Sequence, residues 1–395
     1  MVLDILLDEP IEKISPVNSE FEKDAQRLRD LIENMRNNMM CELDVEQKSA
    51  YRRLHQDAVC ERLLKDSIWI AKSFKKYSHY FANGEDIHPD KIRPRLVEVT
   101  SGWKSDIFRL ARYTWSLPYS SGYGRRMRFL IMDDHNDKLI GIIGLQSPPI
   151  DFKVRDDFLS IPKNHKVLLV NQMMDIFTLG AIPPYNILLG GKLVALASAS
   201  NEIRTLYAQK YDQKITHIQK QIIPSHLIAL TTTSAFGRSS IYNRLKFEDR
   251  LVAQSLGFTK GYGSFHVLGI YDEIKAFLKK YDTVKSGYGD GPRSVWVNSR
   301  RASQLVGVKN NLLEHGVQRE IFLFPLLTNL NLYVQDPSIA PLYYDASFEE
   351  LSSWWKNRWL LERANRVTEW QNWKKERIEQ SIIVEGLAYE RKPIQ

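Results

Sequence analysis

Residues 127–145, MRFLIMDDHNDKLIGIIGL, contain two apolar runs separated by six residues that favour turns. The first run ends at Met132 and the second begins at Leu139, and each is long enough for one buried β-strand. The intervening DDHNDK segment is typical of a connection between antiparallel strands. This stretch therefore predicts a β-hairpin, and the sheet of the protein is built outward from it.

Patterns typical of strands and of helices alternate on both sides of the hairpin, which predicts an α/β (α+β) fold with a mixed central sheet. Short apolar or β-branched runs mark the expected strands, which lie near residues 96, 127, 139, 167, 175, 227 and 265. Helices are expected over 184–211 and 241–256 and should pack on this sheet.

Three parts are expected along the chain. They are a helical N-terminal arm over 1–88, an α/β core over 89–284 and a C-terminal extension over 285–395, which begins in a Gly-rich loop.

The C-terminal extension is expected to end in one long helix over about 347–380. Trp354, Trp355 and Trp359 fall within less than two turns of that helix. Side chains at this spacing spread around a helix, so we expect that they cannot all enter one core. They should form an interface with a partner protein or a second copy of the chain.

Cysteine usage and the N-terminus predict a cytoplasmic protein. The two cysteines, Cys41 and Cys60, are too few for a disulfide framework. The N-terminal apolar run carries acidic residues where a signal peptide needs basic ones, and no apolar run is long enough to span a membrane.

The charge distribution favours a nucleic-acid partner. The formal net charge is +8, and residues 91–128 hold nine bases against two acids, with aromatic residues between them. Arginine binds phosphate with a forked geometry, and aromatic rings stack on unpaired bases. We therefore expect a surface for DNA, with RNA less favoured, formed by Arg93, Arg95, Arg125, Arg126, Arg128, Lys192, Arg238, Lys260, Arg300 and Arg301.

No catalytic or metal motif stands out. Gly190-Gly191-Lys192 lacks the upstream glycine and the following Ser or Thr of a phosphate-binding P-loop. The nine histidines have no metal-ligand spacing, so we expect neither a metal nor a cofactor. Asp175 lies between two apolar residues of a predicted strand, where burial would raise its pKa and allow it to act as a base. The favoured interpretation is an aspartate that is hydrogen-bonded at the end of a sheet. His266 shares a strand face with Ser264, without further support for catalysis.

Four stretches carry a family resemblance: 139–148 LIGIIGLQSP, 189–197 LGGKLVALA, 231–247 TTTSAFGRSSIYNRLKF and 256–266 LGFTKGYGSFH. In this order they resemble the A subunit of the Druantia anti-phage defence system, over roughly residues 90–335. The resemblance implies a bacterial cytoplasmic protein that works with other subunits, among them a large helicase-like one. It implies no catalytic residue.

The same core more weakly resembles the acetyltransferase superfamily. That resemblance implies that Tyr242 could serve as general acid, with Asp175 and His266 as further candidates. The segment 182–192, however, lacks the loop that such enzymes use for the pyrophosphate of acetyl-CoA. The favoured hypothesis is thus a non-enzymatic DNA-binding subunit of a defence complex. An acyltransferase-like enzyme and a pure assembly scaffold are the alternatives.

Overall fold

The computed structural model describes residues 19–43, 47–117, 122–216, 220–235, 237–261, 265–285, 292–308 and 312–383. The chain divides into two compact units. The larger combines Glu46–Gly261 with Val317–Gln395, and the smaller combines Met1–Val45 with Tyr262–Gly316.

The secondary structure alternates along the chain as follows. The strands are β1 Pro94–Glu98, β2 Arg126–Asp133, β3 Lys138–Gln146, β4 Met173–Ala181, β5 Ala229–Thr233, β6 Lys246–Phe247, β7 Arg250–Leu251, β8 Gln254–Phe258 and β9 Glu320–Pro325. The α-helices are α1 Ser19–Leu43, α2 Gln47–Lys65, α3 Ser67–Tyr77, α4 Trp103–Tyr113, α5 Lys153–Phe158, α6 Lys166–Val170, α7 Gly190–Ala197, α8 Asn201–Tyr211, α9 Tyr271–Tyr281, α10 Pro292–Leu305, α11 Leu330–Gln335, α12 Phe348–Trp355, α13 Leu361–Arg366 and α14 Glu376–Ile382. Short 3₁₀ helices lie at Ser78–Tyr80, Gly84–Asp86, Pro89–Lys91 and Phe265–Ile270, and a π-helical turn lies at Lys356–Leu360.

The larger unit is organised by a mixed sheet. Within the part of the chain that the structure describes, seven strands form it in the order β1-β2-β3-β4-β5-β9-β8. Strands β2 and β3 pair antiparallel from Arg126–Gln146 to Asp133–Lys138, as the opening stretch predicts. Strands β4 and β5 run parallel and pair only as far as Asp175 and Thr231. The predicted α+β fold with a mixed central sheet is confirmed.

Both faces of this sheet are covered, which explains why β2 and β3 are almost continuously apolar. Phe129 and Ile131 point to one face, where they join the core beneath α7, α8 and α12. Leu130 and Met132 point to the other, called here the α4 face, and pack with residues of α3 and α4. Full burial of a side chain such as Phe129 stabilises the fold by about 1.5–3 kcal/mol.

The smaller unit is helical and has a core of its own. Apolar residues of α1, among them Leu28 and Ile32, pack against Ile274 and Leu278 of α9. At the edge of this contact, Lys280 pairs with Glu20 and Asp24, each at 2.7 Å. The apolar residues of α1 thus lie on one side of an amphipathic helix.

Two predicted strands are wrong because they are helical. The run near 167 forms α6, and the side-chain amide of Asn171 closes its last turn by donating to the carbonyl of Val167 at 2.8 Å. Four consecutive apolar residues have no period that separates a strand from a buried helix. The run near 265 forms the 3₁₀ helix Phe265–Ile270, which leads into α9.

The predicted helix over 241–256 is also wrong, since this stretch contains β6, β7 and the start of β8. Arg244 and Glu248 adopt φ of 54° and 53°, left-handed conformations that break a helix and form turns. Strand β9 was not expected at all, although its EIFLFP sequence is fully buried in the sheet.

Two long predicted helices are interrupted. The helix expected over 184–211 is α7 and α8, and Ser200 caps α8 by accepting the N–H of Ile203. The helix expected over 347–380 ends at Arg366, where Val367 becomes extended, and helical structure resumes only at α14. None of the described helices combines the length and the apolarity needed to cross a bilayer.

Candidate functional site

Two arginines of the basic segment lie on one face of β2. Arg126 is exposed at the start of the strand, and Arg128 follows two residues later on the same α4 face. The Arg128 guanidinium lies 5.5 Å from the ring centroid of Phe108, and its Nη2 lies 3.4 Å from the hydroxyl of Ser105. Helix α4 therefore holds Arg128 at the surface beside its first turn.

An aromatic stack lies at the same end of α4. The rings of Trp103 and Tyr80 are parallel to within 6°, with centroids 5.1 Å apart. Trp103 retains 38% of its surface. Lys104 is half-buried in the same turn, and Lys76 of α3 is exposed, its pKa raised by hydrogen bonding to Tyr77 and by the charge of Asp106. We call Lys76, Tyr80, Trp103, Lys104, Arg126 and Arg128 the stacking surface.

Other arginines of the basic segment are already engaged. Arg95 pairs with Asp134 at 2.5 Å, and Arg109 pairs with Asp66 at 3.1 Å. Arg112 is buried and donates to the carbonyl of Leu117 at 3.1 Å. The net charge of the segment thus overstates the positive charge that a polyanion could contact.

Arg125 is held inside the larger unit. Its Nη1 donates to the carbonyl of Asn171 and to the hydroxyl of Tyr207, and its Nη2 donates to the carbonyl of Met173 at 3.1 Å. These bonds join β2 to β4 and α8. Arg93 is exposed, and its backbone N–H donates to Asp133 at 3.0 Å.

Lys192, Arg300 and Arg301 are three further candidate cations, each with contacts of its own. Lys192 donates to the carbonyl of Asn243 at 2.7 Å, and burial lowers its pKa to about 8. In the smaller unit, Arg301 forms a bidentate pair with Asp282, and the guanidinium of the exposed Arg300 lies 5.9 Å from the Trp296 ring centroid.

Arg238 and Lys260 are brought together by strand pairing. Gly237 bridges Arg319, and the backbone N–H of Thr259 donates to the carbonyl of Arg319 at 2.9 Å. Gly237 and Thr259, which pair with Arg319, are followed in the chain by the exposed residues Arg238 and Lys260. The sequence did not single out Arg319, because only the strand pairing brings it beside these two segments.

Asp175 lies at the point where β4 and β5 stop pairing. It accepts a hydrogen bond from Gln146 Nε2 at 3.1 Å and another from Thr231 Oγ1 at 3.0 Å. Burial raises its pKa, as its apolar neighbours in the sequence predict, while those two bonds and the charges of Arg155 and Arg319 act in the opposite direction. The residue as a whole is half-buried.

The two other catalytic candidates make contacts of their own. Tyr242 packs against Phe322 and Phe324, which belong to the sheet face opposite Asp175, and burial raises its pKa to about 12. His266 belongs to the smaller unit, where its Nε2 lies 2.7 Å from the carbonyl of Leu312.

The tryptophans near 355 correct another expectation. Trp355 is fully buried, and its indole N–H donates to the carbonyl of Leu189 at 3.0 Å. Trp354 and Trp359 are half-buried and pack against the same core, so all three do enter one core. A groove of about 610 Å³ remains beside them, lined by Trp354, Asn357, Arg358, Glu362 and Arg366.

These features define an α+β protein with a basic, aromatic surface and, on the same face of the sheet, a polar cluster at the junction of β4 and β5, where Gln146 is the strand partner of both Arg126 and Asp175. Residues 45–336 match the family model of Druantia protein DruA. The Druantia protein DruA of Escherichia coli (strain UMEA 4076-1) is 36% identical over 336 residues, which cover 83% of this chain and 82% of that relative. No solved structure matches the chain. The chain belongs to the DruA family, as its sequence motifs predict.

Proposed function

We propose that this chain acts as a nucleic-acid-binding subunit of the Druantia anti-phage defence system. Its role as a component of that system follows from its family. The observation that carries the binding proposal is the exposed Trp103–Tyr80 stack beside the arginine-bearing face of β2. An indole that is stacked from below and open above suits an unpaired base.

Phosphates would contact the cations around this stack. Arg126 and Arg128 project from the α4 face of β2, and Lys104 and Lys76 lie on the helices beside it. Because stacking is sequence-tolerant, this surface should hold a single-stranded segment with little base preference. A phage DNA strand is the substrate that we propose, and no chemical step is required.

The other Druantia subunits are the proposed protein partners, and a second copy of this chain is a further possibility. The groove beside Trp354 offers them a surface, since Arg358 and Arg366 surround the exposed edge of the indole. Arginine and tryptophan are the residue types that dominate protein interfaces.

The acyltransferase alternative gains no support from the start of α7, where its cofactor phosphates would need free backbone N–H groups. The N–H of Gly190 already donates to the carbonyl of Tyr185 at 2.8 Å. A Cβ at Gly191 would lie 3.3 Å from Ile241, and Trp355 covers Leu189 from the other side. Calorimetry with acetyl-CoA tests this alternative directly.

Fluorescence anisotropy with a labelled oligo-dT of about 15 nucleotides tests the proposed function. Trp103→Ala should weaken binding about tenfold without changing the salt dependence, since a base stack carries no charge. The double change Arg126→Ala with Arg128→Ala should lower the slope of log affinity against log salt by about 1.4, or about 0.7 for each phosphate that is no longer neutralised.

Arg95→Ala is the matched control, because Arg95 lies in the same basic segment but is paired with Asp134. It should leave affinity within about twofold, as expected for a paired surface charge. Failure of the wild-type chain to bind at low salt would contradict the proposal and favour the assembly scaffold. Equal decreases in affinity for the control and the double variant would also contradict the proposal.

A further inference from the structure

A second polar site lies on the sheet at the junction of β4 and β5. Asp175 and Gln146 are paired residues of β4 and β3, and Thr231 is the partner of Asp175 on β5, so the three side chains point to one face. Each carboxylate oxygen of Asp175 accepts one bond, from Gln146 or from Thr231, and retains a second lone pair. The floor of this site therefore presents hydrogen-bond acceptors to a ligand.

Two aromatic rings stand beside that floor. Phe177 is the next residue of β4 on the same face, and a Cβ at Gly122 would lie 3.1 Å from its ring and 3.4 Å from Gln146 Oε1. Tyr123 follows Gly122, is 51% exposed, and has its pKa raised to about 12 by burial and by the charge of Asp175. Gly122 adopts φ +73°, so glycine both allows this turn and lets the backbone lie close to Phe177 and Gln146.

A positive charge completes the site on its other side. Arg319 and Asp175 are close enough for each to shift the pKa of the other. The Nε of Arg319 is buried and has no hydrogen-bond partner among the described residues. Arg238 and Lys260 are exposed and directly follow Gly237 and Thr259, the residues that pair with Arg319.

We propose that this cluster, the Asp175 site, binds the guanine base of a nucleotide, with the phosphate directed to Arg319, Arg238 and Lys260. Guanine offers two adjacent donors, N1–H and the N2 amino group, which complement the acceptors of Asp175 and Gln146. Phe177 and Tyr123 provide the aromatic contacts that a flat heterocycle needs. Adenine and cytosine each place an acceptor ring nitrogen where guanine has its N1 donor, so they would face Asp175 with an unpaired acceptor.

The nucleotide can be free, or it can be one base of a strand held by the stacking surface. Only the second source rests on the proposed function. The two surfaces use different residues, so the two proposals can fail separately.

Isothermal titration with GMP, AMP and CMP tests the free source. We expect the wild-type full-length chain to bind GMP at least tenfold more tightly than AMP or CMP. Asp175→Asn should reduce GMP affinity by tenfold or more, because one acceptor becomes a donor that opposes the guanine edge. Gly122→Ala should do the same by filling the space beside Gln146. The control Asp134→Asn removes an exposed carboxylate and should change nothing.

Anisotropy with oligo-dT carrying a single central dG, dA or dC tests the strand source. We expect the dG oligonucleotide to bind most tightly, and Asp175→Asn should erase that preference while leaving oligo-dT affinity unchanged. Tight oligo-dT binding without preference for dG, together with no GMP isotherm, would overturn the Asp175 site and leave the proposed function standing. Binding of GMP without any binding of oligonucleotides would support the Asp175 site and contradict the proposed function. An equal decrease in GMP affinity in Asp134→Asn and Asp175→Asn, or a preference for AMP or CMP, would also overturn it.

Discussion

The two ends of the central sheet each hold an aspartate, and the two carboxylates are used differently. Asp133, at the hairpin end of β2, is fully buried. It accepts backbone N–H groups from Arg93 at 3.0 Å and His135 at 3.1 Å, and the hydroxyl of Tyr185 at 3.0 Å. Asp175, at the opposite end, accepts two side-chain donors and remains partly open to solvent.

The comparison shows how a carboxylate with a structural role differs from one that can bind a ligand. A buried carboxylate that is surrounded by backbone N–H groups is fixed by the turn that it stabilises. A carboxylate with side-chain partners and an unfilled lone pair can exchange solvent for a ligand. The arginines of β2 follow the same rule, since Arg125 donates to protein carbonyls while Arg126 projects into solvent.

The largest expected effect tests the structural half of this comparison. Asp133→Ala should lower the free energy of unfolding by about 4 kcal/mol, because two N–H groups and a tyrosine hydroxyl lose a charged partner. Asp175→Ala should cost only about 1–2 kcal/mol, since burial already disfavours its charge. Urea denaturation of the two variants measures both values. Equal decreases would mean that both carboxylates are structural, and the comparison would fail.

The next largest effect distinguishes the structural role of Arg125 from the binding role of Arg126. Arg125→Ala should destabilise the protein by about 3 kcal/mol, because the Met173 carbonyl and the Tyr207 hydroxyl lose the Arg125 donor and the Asn171 carbonyl keeps only the hydroxyl of Tyr207. Arg126→Ala should change stability by less than about 0.5 kcal/mol and instead weaken nucleic-acid binding. Thermal unfolding followed by anisotropy distinguishes them. If Arg125→Ala is as stable as the wild type but binds nucleic acid more weakly, this prediction is wrong and Arg125 belongs to the nucleic-acid interface.

Much of the sheet could be predicted, because β2, β3 and β4 carry long apolar runs bounded by turn residues. The run near 167 could not be predicted, because a short apolar run fits the period of a strand and that of a helix equally well. The segment 241–256 could not be predicted either, because nothing in the sequence marks the left-handed conformations of Arg244 and Glu248. Likewise, nothing in the sequence marks the π-helical turn at Lys356–Leu360, beside which Trp354 and Trp359 pack on the core around Trp355.

The candidate site was predictable only in part. The flanking residues of Asp175 foretell burial and a raised pKa, which the structure bears out. Its partners Gln146, Thr231 and Arg319 come from three other strands or their ends, and only tertiary pairing brings them to it. The basic segment was visible as a charge sum, but the pairing of Arg95 with Asp134 was not.

Lys192 extends the comparison to a half-buried cation. Its pKa is lowered to about 8 by burial, below the value of about 10.4 in an unfolded chain. Between these values the unfolded chain binds more protons, so the free energy of unfolding should rise with pH. Lys192→Met should abolish this rise, which we expect to be on the order of 1 kcal/mol after solvent screening. Denaturation curves at pH 7, 8.5 and 10 check it, and parallel profiles for both proteins would contradict it.

The smallest expected effect concerns the charge of Asp175 itself. Its pKa is raised in the folded protein, so the folded state holds the proton more tightly than the unfolded chain, whose pKa is about 3.9. As pH rises above that value, the wild-type protein should lose stability through this group, whereas Asp175→Asn should not. The free energy of unfolding of the variant, relative to that of the wild type, should therefore increase between pH 4 and pH 7. The increase should be about 1.4 kcal/mol for each pH unit that separates the folded and unfolded pKa values of Asp175. A variant that instead loses stability relative to wild type as the pH rises would mean that the folded protein favours the ionised carboxylate. The open site at this end of the sheet would then have to be abandoned.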